Sequence, residues 1–212
     1  MAAVKPARKQ AERREEAEAK ILNAAIRLLV DRGYDRFTLA DVGEAAGYSR
    51  ALPAHYFGKK DDLLNEVVRF IIQHYRANLA EIDAVAPGLP YLVARIRTNA
   101  EAAGTRQGRA LLLLQAEATV RRQLKRTIID FNLRGEKNWE EAIRRGMDAG
   151  HIRPDVNARH EALVIFSFLR GQNGFAAIDP KFDVSGTTEY FIATLVSRIA
   201  TAAGRRAHAS TG

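Results

Sequence analysis

Between Ser49 and Lys60 the chain sets a guanidinium, an imidazole, a phenol and two ammonium groups among small side chains, in the run SRALPAHYFGKK. These are hydrogen-bond donors suited to polyanions. The planar fork of Arg50 matches the O6 and N7 acceptors of guanine, a contact that discriminates by about 1–3 kcal/mol against the wrong base. The methyl groups of Ala51 or Leu52 can meet a thymine methyl. His55 and Tyr56 can each donate to a phosphate oxygen, which positions a protein on a duplex without reading its sequence. Thr38 and Ser49 complete this expected DNA-binding set, as the residues that open the two helices carrying it.

Those helices are legible in Thr38 to Phe57, TLADVGEAAGYSRALPAHYF. Thr38 is predicted to cap the first helix, with Asp41 three residues on answering the open backbone amides. Leu39, Val42 and Ala46 fall at spacings of three and four and share a face. Gly47 supplies the backbone freedom of a sharp turn. Ser49 is expected to cap a second helix ending near His55 or Tyr56. Two short helices across such a turn form a helix-turn-helix, whose second helix can enter the DNA major groove. With Ser49 as cap, Pro53 would be the fourth helical residue and would forfeit one backbone bond, which could shorten or tilt that helix.

The pattern Thr38-x-x-Asp41-Val42, then Ala46-Gly47-x-Ser49, an aromatic cluster ending at Phe57, and Lys60, Leu63 and Leu64 resembles the DNA-binding domain of TetR-family transcriptional regulators. The likeness covers roughly residues 15 to 65. The chain departs from the family at Ala51, where Gly is common, at Pro53, where an aliphatic residue is usual, and at His55-Tyr56, where the order is reversed. The resemblance implies that Lys60 touches a DNA phosphate. It implies an all-α protein, with an N-terminal three-helix reading domain and a C-terminal helical domain for effector binding and dimerisation. The last two helices would pair with their copies in a second subunit as a four-helix bundle, through Phe166, Phe191, Leu195 and Ile199. A small apolar or amphipathic effector would bind among the helices of residues 91 to 175, where Arg97, Glu101, Gln115 and Gln172 are pocket candidates that ordinary surface or core positions explain better. The implied function is a ligand-responsive homodimeric repressor of a palindromic operator. An activator of the same fold is the alternative.

Composition supports this without requiring it. The net charge is +8, and residues 1 to 60 hold twelve Lys/Arg against eight Asp/Glu, half of that excess in little more than a quarter of the chain. A basic balance suits nucleic acid. The absence of cysteine excludes disulfides, thiolate zinc sites and a cysteine nucleophile. No apolar run approaches the roughly 18 residues of a membrane span, and none at the N-terminus resembles a signal peptide, so a cytoplasmic protein without membrane attachment is expected. The rival classes are an all-helical enzyme and an interaction protein. The enzyme has thin support: His55, His74, His151, His160 and His208 are scattered without metal-ligand spacing, no Gly-rich phosphate loop or nucleophile motif occurs, and no cofactor is implied.

The expected organisation is a disordered basic arm over residues 1–10, with Lys5, Arg8 and Lys9 free to trail along phosphates. The reading domain follows over 11–62, the helical domain over 63–203, and a flexible tail over 204–212. Ala17, Ile21, Ala24, Ala25, Leu28 and Leu29 stripe a first helix that ends at Gly33. Leu63 to Ile82 reads as a long helix, and Pro87, Gly88 and Pro90 as the break after it. Four consecutive leucines, Leu111 to Leu114, predict a helix buried on most sides. Arg121, Arg122, Lys125 and Arg126 read as a solvated basic face. Trp139 and Ile143 are expected to face a core. Ala162 to Leu169, ALVIFSFL, reads as core or subunit interface.

Overall fold

Apolar side chains recur at helical spacing through most of the chain, and in the structure, a computed structural model, each such stretch is a helix. Residues 5–80, 82 and 87–210 are described, with 5–9 and 76–80 as backbone. In chain order the helices are α1 (Lys5–Arg32), α2 (Leu39–Ala45), α3 (Leu52–Phe57), α4 (Lys60–Ala80), α5 (Leu89–Glu101), α6 (Arg106–Glu117), α7 (Arg122–Asp148), α8 (Ala158–Ile178), α9 (Val184–Ile199) and α10 (Ala202–Ala209). Among the described residues the only β-type pairing is an isolated bridge between Ile152 and Ala200. No helix there is long and apolar enough to cross a membrane. The chain divides into two compact units, Met1–Ile72 with Leu113–Thr127, and Gln73–Leu112 with Ile128–Gly212.

The first unit is built on α1. Its predicted stripe from Ala17 to Leu29 is buried, together with Phe37, Val42, Leu63, Leu64 and Val67. Helix α1 begins at Lys5, inside the arm expected to be disordered. Pro6 lies in its first turn, where a missing N–H leaves no bond unmade. Residues 1–4 and the side chains of Lys5, Arg8 and Lys9 lie outside what is described, and so do the phosphate contacts expected of them. Arg27 reaches from α1 to donate to the Ala45 carbonyl at the end of α2, at 2.7 Å.

The second unit has one continuous apolar core. Leu92 and Ile96 of α5, Trp139 and Ile143 of α7, Ala162 and Ile165 of α8, and Ile192 and Leu195 of α9 all belong to it. Gly88, at φ +107, opens α5 where an added Cβ would collide with the His151 ring. Pro90 falls in the first turn of α5 rather than in the break before it. The tail expected to fray from Gly204 is instead α10, capped by the Thr201 hydroxyl, which accepts from the Gly204 amide at 3.0 Å. Gly204 is buried against the His151 carbonyl, where no Cβ fits.

Of the residues expected at a subunit interface, Leu195 and Ile199 are each 0 % exposed in the chain's own core. Phe191 stacks on Phe168 at 3.9 Å between ring centroids, and Phe166 packs against Phe131 and the open backbone of Gly135. The α8 face left uncovered carries Leu163, Val164, Phe175 and Ile178, and α9 exposes Tyr190. Gly171 and Gly174 lie on the same α8 face with open space above them. Of the pocket candidates, Arg97 forks onto Glu189 at 2.7 and 2.9 Å. Gln172 is buried but donates to the Val184 carbonyl and the Thr188 hydroxyl, both at 2.7 Å.

Candidate nucleic-acid interface

Helix α2 starts as its sequence predicts. The Thr38 hydroxyl accepts from the Asp41 amide at 3.2 Å, and the Thr38 amide donates to the Asp41 carboxylate at 2.7 Å, a complete capping box. The bonds from the Thr38 amide and hydroxyl hold the Asp41 carboxyl below the usual carboxylate range. Gly47, at φ +75, makes the turn.

Helix α3 starts later than predicted. Ala51, not Ser49, occupies the N-cap position, without a side-chain cap, and Pro53 lies in the first turn. The Leu52 amide donates to the Ser49 carbonyl at 3.1 Å, so a tight turn precedes the helix. Proline there costs no backbone bond, and the forfeited bond expected at Pro53 does not arise. The ring instead packs inward. Pro53 is buried, and its Cδ lies 3.1 Å from where a Cβ on Gly43 would be. That same Cβ would lie 2.5 Å from the Ser49 carbonyl oxygen and 3.1 Å from the Arg50 Cα. Gly43 is therefore the close-approach point that sets α2 against the turn into α3.

The polar residues divide by exposure. Ser49, Arg50, Ala51, Ala54 and His55 are exposed, whereas Leu52, Tyr56 and Phe57 are half-buried. The Arg50 side chain is 71 % exposed, and its nearest carboxylate, on Glu44, stands 3.9 Å away. The Arg50 fork is thus largely open to solvent. The Tyr56 ring lies beside His55 at 5.7 Å and under the Arg14 guanidinium at 5.5 Å. Leu52 is half-buried, and Ala54, which periodicity did not single out, has an exposed methyl.

Lys60 has a different place from the one expected. Its ammonium turns inward, donates to the carbonyls of Tyr34 and of Phe37 (the latter at 2.5 Å), and lies 4.0 Å from the Phe37 ring centroid. Burial lowers its pKa, with Asp35 opposing. Lys60 therefore ties the loop between α1 and α2 to the start of α4. Beside it the Tyr34 hydroxyl donates to Asp61, and burial followed by that contact raises the phenol above its usual range. The Arg121 guanidinium lies 3.7 Å from the Tyr34 ring centroid and pairs at 2.7 Å with both Asp35 and Glu117. The solvated role expected for Arg121 does not hold. Its four-residue spacing from Glu117 was visible in the sequence, but its pairing with Asp35, 86 positions away, was not.

Residues 21–67 match the family model for bacterial regulatory proteins of the tetR family, the stretch that contains this site. The HTH-type transcriptional repressor KstR2 of Mycobacterium tuberculosis is 22% identical over 153 residues, covering 71% of this chain and 74% of that protein. The HTH-type transcriptional regulator HbdR of Aromatoleum sp. is 24% identical over 200 residues, covering 92% of this chain and 86% of that one. The fold is shared with a transcriptional regulator from Saccharomonospora viridis solved in complex with choline, at a TM-score of 0.76 and 22% identity over 88% of this chain and 99% of the other. Family model, relatives and fold converge on one class: residues 21–67 form a helix-turn-helix domain of the tetR type, and over most of its length the chain is similar to helix-turn-helix transcriptional regulators.

Proposed function

We propose that the protein is a ligand-responsive cytoplasmic repressor that binds a palindromic operator as a homodimer. The observation that carries this reading is the exposed end of α3. There Arg50 makes only a loose, solvent-exposed pair with Glu44 at 3.9 Å, and Ala51, Ala54 and His55 stand open around it. Two copies related by a two-fold axis read half-sites about one DNA turn, or a multiple of it, apart. The uncovered α8 face with Val164 and Phe175, and Tyr190 on α9, support a helical dimer contact in which small residues let the backbones approach. Thr38, Ser49 and Tyr56 flank the reading face, and the backbone amides at the start of α4 supply phosphate contacts more readily than the inward Lys60 side chain. Repression follows where the dimer occludes a promoter. An effector that favours the wrong spacing of reading heads releases the DNA, and by linkage DNA and effector weaken each other by the same factor. The choline complex of the Saccharomonospora viridis relative supports a small-molecule effector without naming one for this chain.

Selection of random duplex DNA on the purified protein at moderate salt tests the reading. A palindromic consensus is expected, with binding that weakens steeply as salt rises. Repeating the selection with Arg50→Ala should erase the preference at one base pair per half-site and leave the others. No enrichment by folded, dimeric protein refutes the operator reading.

A further inference from the structure

Tyr91 and Arg95 lie four residues apart and share a face of α5. Arg95 is only 6 % exposed. One of its terminal nitrogens donates to the Asn138 carbonyl at 2.8 Å, and its guanidinium lies 4.2 Å from the Trp139 ring centroid. Among the described residues no carboxylate pairs with it, and its Nε–H has no acceptor. The Tyr75 hydroxyl, brought from α4, is buried facing Arg95, without a hydrogen bond of good geometry to it or to any other described residue. Burial pushes that phenol up to about 12, opposed by the charge of Arg95 and by a side-chain contact with it, and Tyr91 adds to the rise.

This combination is costly as it stands. A guanidinium cannot shed its proton, and taking an unpaired charge out of water costs several kcal/mol. The other arginines described in this unit are paired or less enclosed. Arg97 forks onto Glu189. Arg170 donates to Asn132 at 2.5 Å, lies over Phe131 and Phe166, and is only half-buried. Among the described residues, Arg95 is the arginine that combines deep burial, no paired carboxylate and a buried hydroxyl facing it.

We propose that Tyr75, Tyr91 and Arg95, beside Trp139, form the polar end of the effector site, and that the effector carries a carboxylate. A carboxylate is planar and acceptor-only, so its oxygens can take the Arg95 Nε–H and the Tyr75 O–H together. The surrounding core, with Leu92, Ile96 and Ile143, is apolar and suits a hydrocarbon or aromatic body. The inference rests on the effector-responsive reading above, and adds the chemical class and the residues that recognise it.

Trp139 is the single tryptophan of the chain, so its fluorescence reports on this site alone. The full-length protein would be titrated with dodecanoate and phenylacetate, and with dodecanamide and phenylacetamide as uncharged counterparts. Both acids are expected to shift Trp139 emission saturably, and the amides to bind roughly tenfold or more weakly, the loss of a charge-assisted hydrogen bond. Arg95→Met and Tyr75→Phe should weaken the acids by a similar factor and leave the amides unchanged. Tyr75→Phe keeps the ring and removes only the hydroxyl that faces Arg95, and a thermal melt of the variant checks that it stays folded. Acids that fail to bind, amides that bind equally well, or both variants binding acids like the parent would overturn the site. Acid that binds without weakening the DNA complex would overturn its role as effector. The DNA selection is read separately. A consensus without acid binding removes only this inference, and acid binding without a consensus removes only the operator reading.

Discussion

Lys60 separates two accounts of one residue. The family resemblance places its ammonium on a DNA phosphate, whereas the structure turns it onto the Tyr34 and Phe37 carbonyls. Lys60→Met keeps the aliphatic stem and removes the charge. Bonds from a charged donor contribute about 1.5–3 kcal/mol each when buried; because Lys60 is half-buried and the freed carbonyls regain some water, about 2 kcal/mol is expected for the pair. For a chain of 212 residues a loss of that size lowers the melting midpoint by about 4–8 °C.

The assay has two arms. Far-UV circular dichroism gives the midpoint, and fluorescence anisotropy on a selected operator gives the slope of log affinity against log salt. A structural lysine lowers the midpoint and leaves the slope unchanged, measured where the variant is fully folded. A phosphate lysine leaves the midpoint alone and makes the slope shallower by about one. An unchanged midpoint with a shallower slope would refute the inward placement.

Three further outcomes are expected. Gly43→Ala gains about 1 kcal/mol of helix propensity but must push back the Ser49 carbonyl and the Arg50 Cα, an overpacking cost of about 1–3 kcal/mol; denaturant melts should show net destabilisation and anisotropy a loss of operator selectivity, and an equally stable, equally selective variant would remove Gly43 from the crossing. Phe175→Glu, at a residue 64 % exposed, should sediment as a folded monomer, while Leu195→Glu puts a carboxylate into the core and should unfold the second unit at a cost of about 4 kcal/mol or more; a folded Leu195→Glu monomer would restore it to the interface. The Asp41 carboxyl sits below its unfolded pKa, so its stabilisation is present at neutral pH and is lost as pH falls through the folded value; Asp41→Asn should lower the neutral-pH midpoint and flatten that acid limb, and an identical limb in both proteins would contradict the capping box.

What could be read from the sequence is what depends on short-range pattern. The capping box of Thr38 and Asp41, the stripe of α1 and the turn at Gly47 are each set by residues within a few positions of one another, and all three stand as predicted. The start of α3 was misplaced by two residues because Ser49 is a better cap than Ala51 in isolation. Packing of Pro53 against Gly43 decided the matter, and a glycine inside a helical run was the available sign of that close approach. Leu195 and Ile199 show the limit of periodicity. An apolar stripe says that a face is buried, not whether its own subunit or another buries it. Arg121 was misjudged for the same reason, since a basic run looks solvated until the distant Asp35 is brought to it.

The arginines carry this distinction into function. In sequence Arg50, Arg95, Arg97 and Arg121 are alike, each a fixed positive charge on or beside a helix. Folding answers two of them. Arg97 takes Glu189 and Arg121 takes Asp35 and Glu117, so their charge is spent on holding the chain together. Arg50 and Arg95 are left over in opposite surroundings. In water an unanswered guanidinium costs little and keeps its fork for a polyanion that brings many phosphates, which suits the DNA face. Deep in a helical core it is tolerable only if something supplies the anion, and a small apolar acid can enter there where DNA cannot. On this argument the two proposals are one physical statement applied twice, at the surface and in the core. They remain separable, because each rests on a different guanidinium, one loosely paired in water and one without a carboxylate among the described residues, and each is removed by a different single substitution.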